Sequence, residues 1–140
     1  MRIGWKRLLL GLIALVVVVA SAACSPDEHA GFDAINALRD RNHVAELTWN
    51  DAVYPKAIAW SNHMADEGRL SHSTLSDGVP AGWHTLGENV AYASTMAGAI
   101  SALEASAPHR ANMLNPAFTS AAVGVVKRNG MVWVTEVFVG

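Results

Sequence analysis

Ala122-Val123-Gly124-Val125-Val126-Lys127-Arg128-Asn129-Gly130-Met131-Val132-Trp133-Val134-Thr135-Glu136-Val137-Phe138 is the stretch on which the fold reading turns. β-Branched and aromatic residues recur with a period of two over Ala122–Val126 and Met131–Phe138. That period belongs to strands, whose successive side chains point to opposite faces. Asn129-Gly130 between the two runs is the strongest short hairpin signal, because a type I′ turn needs φ > 0 at both central positions. Two antiparallel strands joined by a tight turn are therefore expected here.

Upstream the period changes. Phe32, Ile35 and Leu38 recur at helical spacing, with Asp33, Arg39, Asp40 and Arg41 on the other faces. This predicts an amphipathic first helix ending near Asn42. A second helix is expected over Pro55–Glu67, with Gly68 as its C-terminal cap. Asn50 is a candidate cap ahead of it, and Ala57, Ile58, Trp60 and Met64 are its expected core residues. Residues 71–83 are rich in Ser, Asp, Gly and Pro and read as loop. A third helix is expected from Thr95 to about Ala107, with Met96, Ile100 and Leu103 as its buried stripe and Pro108 as its stop. Helices followed by a hairpin give an α+β domain.

The chain begins Met1-Arg2-Ile3-Gly4-Trp5-Lys6-Arg7, then runs apolar from Leu8 to Ala20 and ends in Ser21-Ala22-Ala23-Cys24. Cations, a short apolar run and small residues make an export signal. The run falls short of the ~20 residues of a membrane span. Cys24 is the single cysteine, so no internal disulfide can form. Its place after small residues reads as a lipobox-like end, with Ser21 where that motif usually carries leucine. On this reading residues 1–23 are a signal peptide, Cys24 is lipidated and holds the protein to a membrane, residues 24–30 are a short linker and 31–140 form the domain. The alternative is ordinary cleavage near Ala22 or Ala23 and secretion. The formal net charge is −2 with the leader's cations included, so the domain is mildly acidic. No basic stripe interleaved with aromatics is present, which argues against nucleic acid as a partner.

Three motifs carry chemistry: Leu70-Ser71-His72-Ser73, Leu86-Gly87-Glu88-Asn89-Val90-Ala91 and Pro108-His109-Arg110-Ala111-Asn112-Met113-Leu114. Taken singly, each has a plain structural reading: an exposed loop histidine, a glutamate capping a turn, a solvated His-Arg pair. Their order and separation resemble the CAP superfamily (cysteine-rich secretory proteins, antigen 5, pathogenesis-related proteins, also called SCP-like), and in particular its short bacterial branch. The resemblance covers about Phe32 to Phe138. It implies an α-β-α sandwich, with three main helices packed on a small antiparallel sheet. It further implies that His72, Glu88 and His109 converge on one cleft. Asn89 and Arg110 could hydrogen-bond the cleft wall or brace Glu88, and bracing is the expectation, because buried carboxylates need partners. The second glutamate of the eukaryotic branch corresponds to Ser106 here, and Glu104 points elsewhere. Trp83 and His84 are candidate rim residues, and His63 reads as a spacer on the second helix.

Two imidazoles, His72 and His109, could hold zinc weakly, with Glu88 orienting a water. A His-Glu-x-x-His pattern is lacking, and neither Ser101 nor Ser106 sits in a nucleophile elbow that would pair it with His109. No complete catalytic constellation is legible, so the reading leans away from an enzyme. The leading expectation is an exported, lipid-anchored module of the cell envelope that binds a small molecule or lipid in the His/Glu cleft. A metal-dependent hydrolase of peptide or envelope material, and a purely structural envelope protein, are the alternatives. Of Trp49, Trp60, Trp83 and Trp133, at least three are assigned to core packing.

Overall fold

The computed structural model of the chain describes residues 25–140, so the readings of the signal peptide and of Cys24 lie outside the described residues. The elements run α1 (Pro26–Arg41), β1 (Thr48–Trp49), α2 (Tyr54–Glu67), β2 (Leu86–Ala93), α3 (Met96–Ala105), α4 (Ala107–Met113), β3 (Ser120–Arg128) and β4 (Met131–Val139). The sheet order is β1-β3-β4-β2. β2 and β3 pair with β4 antiparallel, whereas the two-residue β1 pairs with β3 in parallel, which makes the sheet mixed.

The hairpin forms as its sequence dictates. Asn129 and Gly130 take φ of 52° and 74°, the pair of positive values that a type I′ turn requires. Strand alternation then sorts the core into two halves. Ala121, Val123, Val132, Val134 and Phe138 join Ile35 and Leu38 of α1, Met96, Ala99 and Leu103 of α3, and Met113 of α4 on one face. Ala122 and Val137 meet Val53 and Ala57, and Trp133 and Val90 meet Met64 and Ala65, on the face covered by α2. Helices thus lie on both sides of the sheet, the α-β-α sandwich that the resemblance implies.

α2 approaches its face closely because Gly124 lies beneath it. A Cβ on Gly124 would fall 2.3 Å from the carbonyl carbon of Ala57. Ser61 Oγ uses the closeness, donating to Gly124 O at 2.9 Å and lying 2.8 Å from Thr135 Oγ1.

Several boundaries differ from expectation. Residues 26–30, expected as linker, are the opening of α1. Ser25 and Glu28 form a capping box, with Ser25 N donating to Glu28 Oε2 at 2.6 Å and Ser25 Oγ accepting from Glu28 N. Glu28 is 2% exposed, and its other oxygen accepts from Tyr54 Oη and from the Val125 amide, which fastens the start of α1 to α2 and β3. Among the described residues, α1 begins on its own cap at Ser25 and the core is built from the residues that follow. α3 stops at Ala105, short of the expected Ala107, and Pro108 lies inside a fourth helix, α4, where its missing N–H and fixed φ suit the first turn. Asn50 does not cap α2: its side-chain oxygen takes the Ala52 amide, and Val53 stands at the cap position with no side-chain bond. Gly68 caps the other end in the left-handed conformation, φ 63°, as predicted.

Candidate functional site

β2 is an edge strand, and its alternation divides the Gly87-Glu88-Asn89 motif between the two faces. Glu88 turns with Val90 toward the α2 layer, and Asn89 turns with Ala91 toward α3 and α4. His72 arrives from the loop after α2. That loop is pinned to the helix by Trp60 Nε1, which donates to Ser71 O at 2.7 Å, and by Lys56 Nζ, which donates to Thr74 O at 2.8 Å.

The Glu88 side chain is fully buried beneath this loop, while that of His72 is 59% exposed. Glu88 Oε1 lies 2.9 Å from His72 Nδ1 and accepts the Ser73 amide at 2.9 Å, and Oε2 accepts the Ser73 hydroxyl at 2.5 Å. Both oxygens of the buried carboxyl group thus have hydrogen-bond partners. The same contact orients His72. With Nδ1 turned to Glu88, the other ring nitrogen is directed outward.

His109 sits in the first turn of α4 and is held by its backbone. Asn89 Nδ2 donates to His109 O at 3.0 Å and to Glu136 Oε2 at 2.9 Å. Asn112 Nδ2 closes the network, donating to Asn89 Oδ1 at 2.9 Å and to Glu88 O at 3.3 Å. The amides thus tie β2, α4 and β4 together around the motif. The His109 ring lines a 170 Å³ hollow with Leu70, Val90, Tyr92, Leu103 and Ser106. Its pKa is lowered, first by burial and then by the nearby His72. His109 is therefore expected to be neutral at pH 7, and His72→Ala should raise its titration midpoint. A ¹³C-edited NMR titration of the ring checks both.

The arrangement amends the expected roles. His72 and Glu88 are in direct contact, and His109 lies close enough to feel the charge of His72. Asn89 braces the neighbourhood through Glu136 and His109 and not through the Glu88 carboxylate. Arg110 does not brace Glu88 either; its Nη2 donates to Asn42 Oδ1 at 3.4 Å in an exposed position. Trp83 lines a separate 280 Å³ hollow with Asn50, Val53 and Val139. Exposed His84 pairs through its amide with Gly140 O. Glu104 pairs with Arg41 on the surface. Ser73, Asn112 and Glu136 are the residues that sequence reading missed. Ser73 had a signal, as a hydroxyl directly after His72.

As a metal site the donor set is thin. No group of three or more His, Cys, Asp or Glu side chains that could hold an ion occurs among the described residues. Both Glu88 oxygens are engaged by donors, leaving two imidazoles, whereas protein zinc sites use three or four ligands.

Glu88→Gln is expected to destabilise the fold by about 2 kcal/mol, since an amide turns an N–H₂ toward one of three donors. Urea denaturation checks this, and a change under ~0.5 kcal/mol would contradict the buried network.

The family model for the cysteine-rich secretory protein family, CAP, matches residues 32–138. An uncharacterized protein of Bacillus subtilis, YkwD, is 30% identical over 130 residues, spanning 86% of this chain and 50% of that protein. An extracellular, SCP-domain-containing protein of Bacillus anthracis is 28% identical, with a TM-score of 0.71 over 85% of this chain and 45% of its own. An outer surface protein of Borrelia burgdorferi shares the fold at 13% identity, with a TM-score of 0.74 over 81% of this chain and 91% of its own. The chain spans about half the length of the two Bacillus proteins.

Proposed function

The chain belongs to the cysteine-rich secretory protein (CAP) family, of bacterial extracellular type, and from that premise we propose that it is an exported, lipid-anchored binding module of the cell envelope. Its ligand, a small molecule or lipid, occupies the cleft beside His72, Glu88 and His109, including the groove on the α2 side of His72. The observation that carries this reading is the state of Glu88. Its carboxylate is sealed under the loop and saturated by His72 and Ser73, which makes it a fixed support for a binding surface and not a base held ready for a substrate proton. Anchoring rests on the leader and on Cys24, directly ahead of the helix cap at Ser25. No helix among the described residues is long and apolar enough to cross a membrane.

Native mass spectrometry of the chain from Ser25 tests the reading. An added mass in the small-molecule or lipid range is expected, and it should fall in a His72→Ala, His109→Ala double variant. A bare polypeptide mass in every preparation would count against it. The intact mass of the full-length product recovered from membranes tests the anchor: acyl chains on Cys24 are expected, and a free thiol there would refute them.

One observation favours a hydrolase as the second reading. A carboxylate on one nitrogen of His72, with the other nitrogen outward, is how proteins orient an imidazole toward a metal or a reacting proton. That reading requires His72→Ala and His109→Ala each to abolish turnover of a peptide substrate.

A further inference from the structure

Lys56, Trp60 and His63 follow one another along α2 at spacings of four and three residues, and so share one face of the helix. With His72, Ser73 and Thr74 of the facing loop they line an open groove of about 550 Å³. Trp60 is fixed through its indole N–H to Ser71 O, and its ring stacks on His63 at 4.4 Å.

Lys56 is out of place as a surface cation. It is 9% exposed, and its ammonium donates to the neutral Thr74 carbonyl. An ammonium carries three hydrogens, and a buried charge ordinarily has a counter-charge. Among the described residues Lys56 is in no ion pair. It also stands in the opening turn of α2. That turn contains no acidic residue and has no side-chain cap at Val53, although Pro55 within it offers no N–H. Cation and helix N-terminus therefore add to one another, where a helix start usually gathers carboxylates. Asp77 lines the groove as an exposed carboxylate unpaired with Lys56. Glu88 lies sealed below, engaged by His72 and Ser73.

We propose that this groove is a site for a small organic anion, a carboxylate or phosphate monoester on an aromatic or apolar body. The anionic head sits on Lys56 Nζ at the opening turn of α2, and the body lies along Ala59, Trp60 and His63. The proposal rests on the cleft-binding reading above and names its ligand class.

The test is a ¹⁵N NMR titration of the chain from Ser25 with phenylacetate, phenyl phosphate and neutral 2-phenylethanol. At least one anion is expected to bind about tenfold or more tighter than the alcohol, the size of effect a single partly screened charge gives. Shifts should centre on the Trp60 indole N–H and the amides of Lys56, Ser73 and Thr74, and the tighter anion identifies the head group. Lys56→Gln keeps a donor for Thr74 O but removes the charge, and should bring the anions down to the alcohol's affinity. Lys56→Arg keeps the charge and should retain the preference, which separates recognition from a fold weakened at this position. Equal binding of anion and alcohol, an unchanged preference in Lys56→Gln, shifts centred elsewhere, or no binding by any probe would each overturn the proposal. None of these results alters the native mass of the protein, so the cleft-binding reading stands or falls separately.

Discussion

Arg39→Ala is expected to remove about 4 kcal/mol of unfolding free energy, a large share of the 5–15 kcal/mol that such domains possess. Arg39 is 1% exposed, although it lies in an amphipathic helix among charged neighbours. Its guanidinium acts as a four-way clamp. Nε donates to Ala45 O at 2.6 Å, Nη1 to Met113 O at 2.9 Å and Asn115 O at 3.0 Å, and Nη2 to Phe118 O at 3.3 Å. Truncation orphans these carbonyls and opens a cavity beneath them, and each orphaned group costs ~1–3 kcal/mol where water does not reach it. Met113 ends α4, so the cation also sits at the negative end of that helix dipole. α4 carries His109, and the loss should loosen the candidate site together with the fold. Lysine recovers little, because one ammonium does not reproduce the planar fork. Urea denaturation of Arg39→Ala, Arg39→Lys and Arg41→Ala decides the matter. Arg41 makes one exposed contact with Glu104, so its loss should change stability by less than ~0.5 kcal/mol. Equal effects at the two arginines would refute the clamp.

Arg39 also marks the limit of what the sequence discloses. The helical period placed it on a polar face, and that is all a period can say. Four carbonyls waiting on the inner side of residues 45–118 are a tertiary fact. Lys56 is a second case, since the pattern of α2 does not reveal that a loop will fold over its stem. Local chemistry, by contrast, was legible where one residue type satisfies one constraint. Asn129-Gly130 specified the hairpin, and Pro55 and Gly68 bracketed α2. Ser25-Pro26-Asp27-Glu28 held a capping box in plain view, but its polar composition resembles a linker until the following turns are seen to pack. Pro108 is ambiguous in the same way, because the feature that stops one helix suits the start of the next. The parallel β1–β3 pair left no local trace, since it joins residues some seventy positions apart. At the site, the motif order announced His72, Glu88 and His109 through family resemblance. Ser73 was signalled by its place after His72, whereas Asn112 and Glu136 became apparent only once strand register set Asn89 opposite Glu136.

Glu136→Gln is expected to stabilise the protein at pH 8 by about 3 kcal/mol and to have little effect near pH 4.5. Glu136 occupies a core position in β4, flanked on its face by Val134 and Phe138, and is 2% exposed. Burial raises its pKa to about 7 from an ordinary 4.5, the Asn89 hydrogen bond opposes the rise, and the Glu104 charge adds to it. Between those two values the folded state holds a proton that the unfolded chain releases. Its stability is therefore greatest below pH 4.5 with respect to this group. That contribution is lost as pH rises toward 7, at ~1.4 kcal/mol for each pH unit between the two values, and is constant above. Glutamine stays neutral throughout and can accept the Asn89 amide with its own oxygen, so the variant should lack this slope. Denaturant midpoints of both proteins at pH 5, 6, 7 and 8 test the sign. A difference that does not grow with pH would mean that the carboxylate does not titrate there. The consequence reaches the cleft, because Asn89 divides its two hydrogens between Glu136 and the His109 carbonyl. An ionised Glu136 draws more strongly on that amide than a neutral one, so the anchor of His109 should weaken over the same pH range in the wild type and hold constant in the variant.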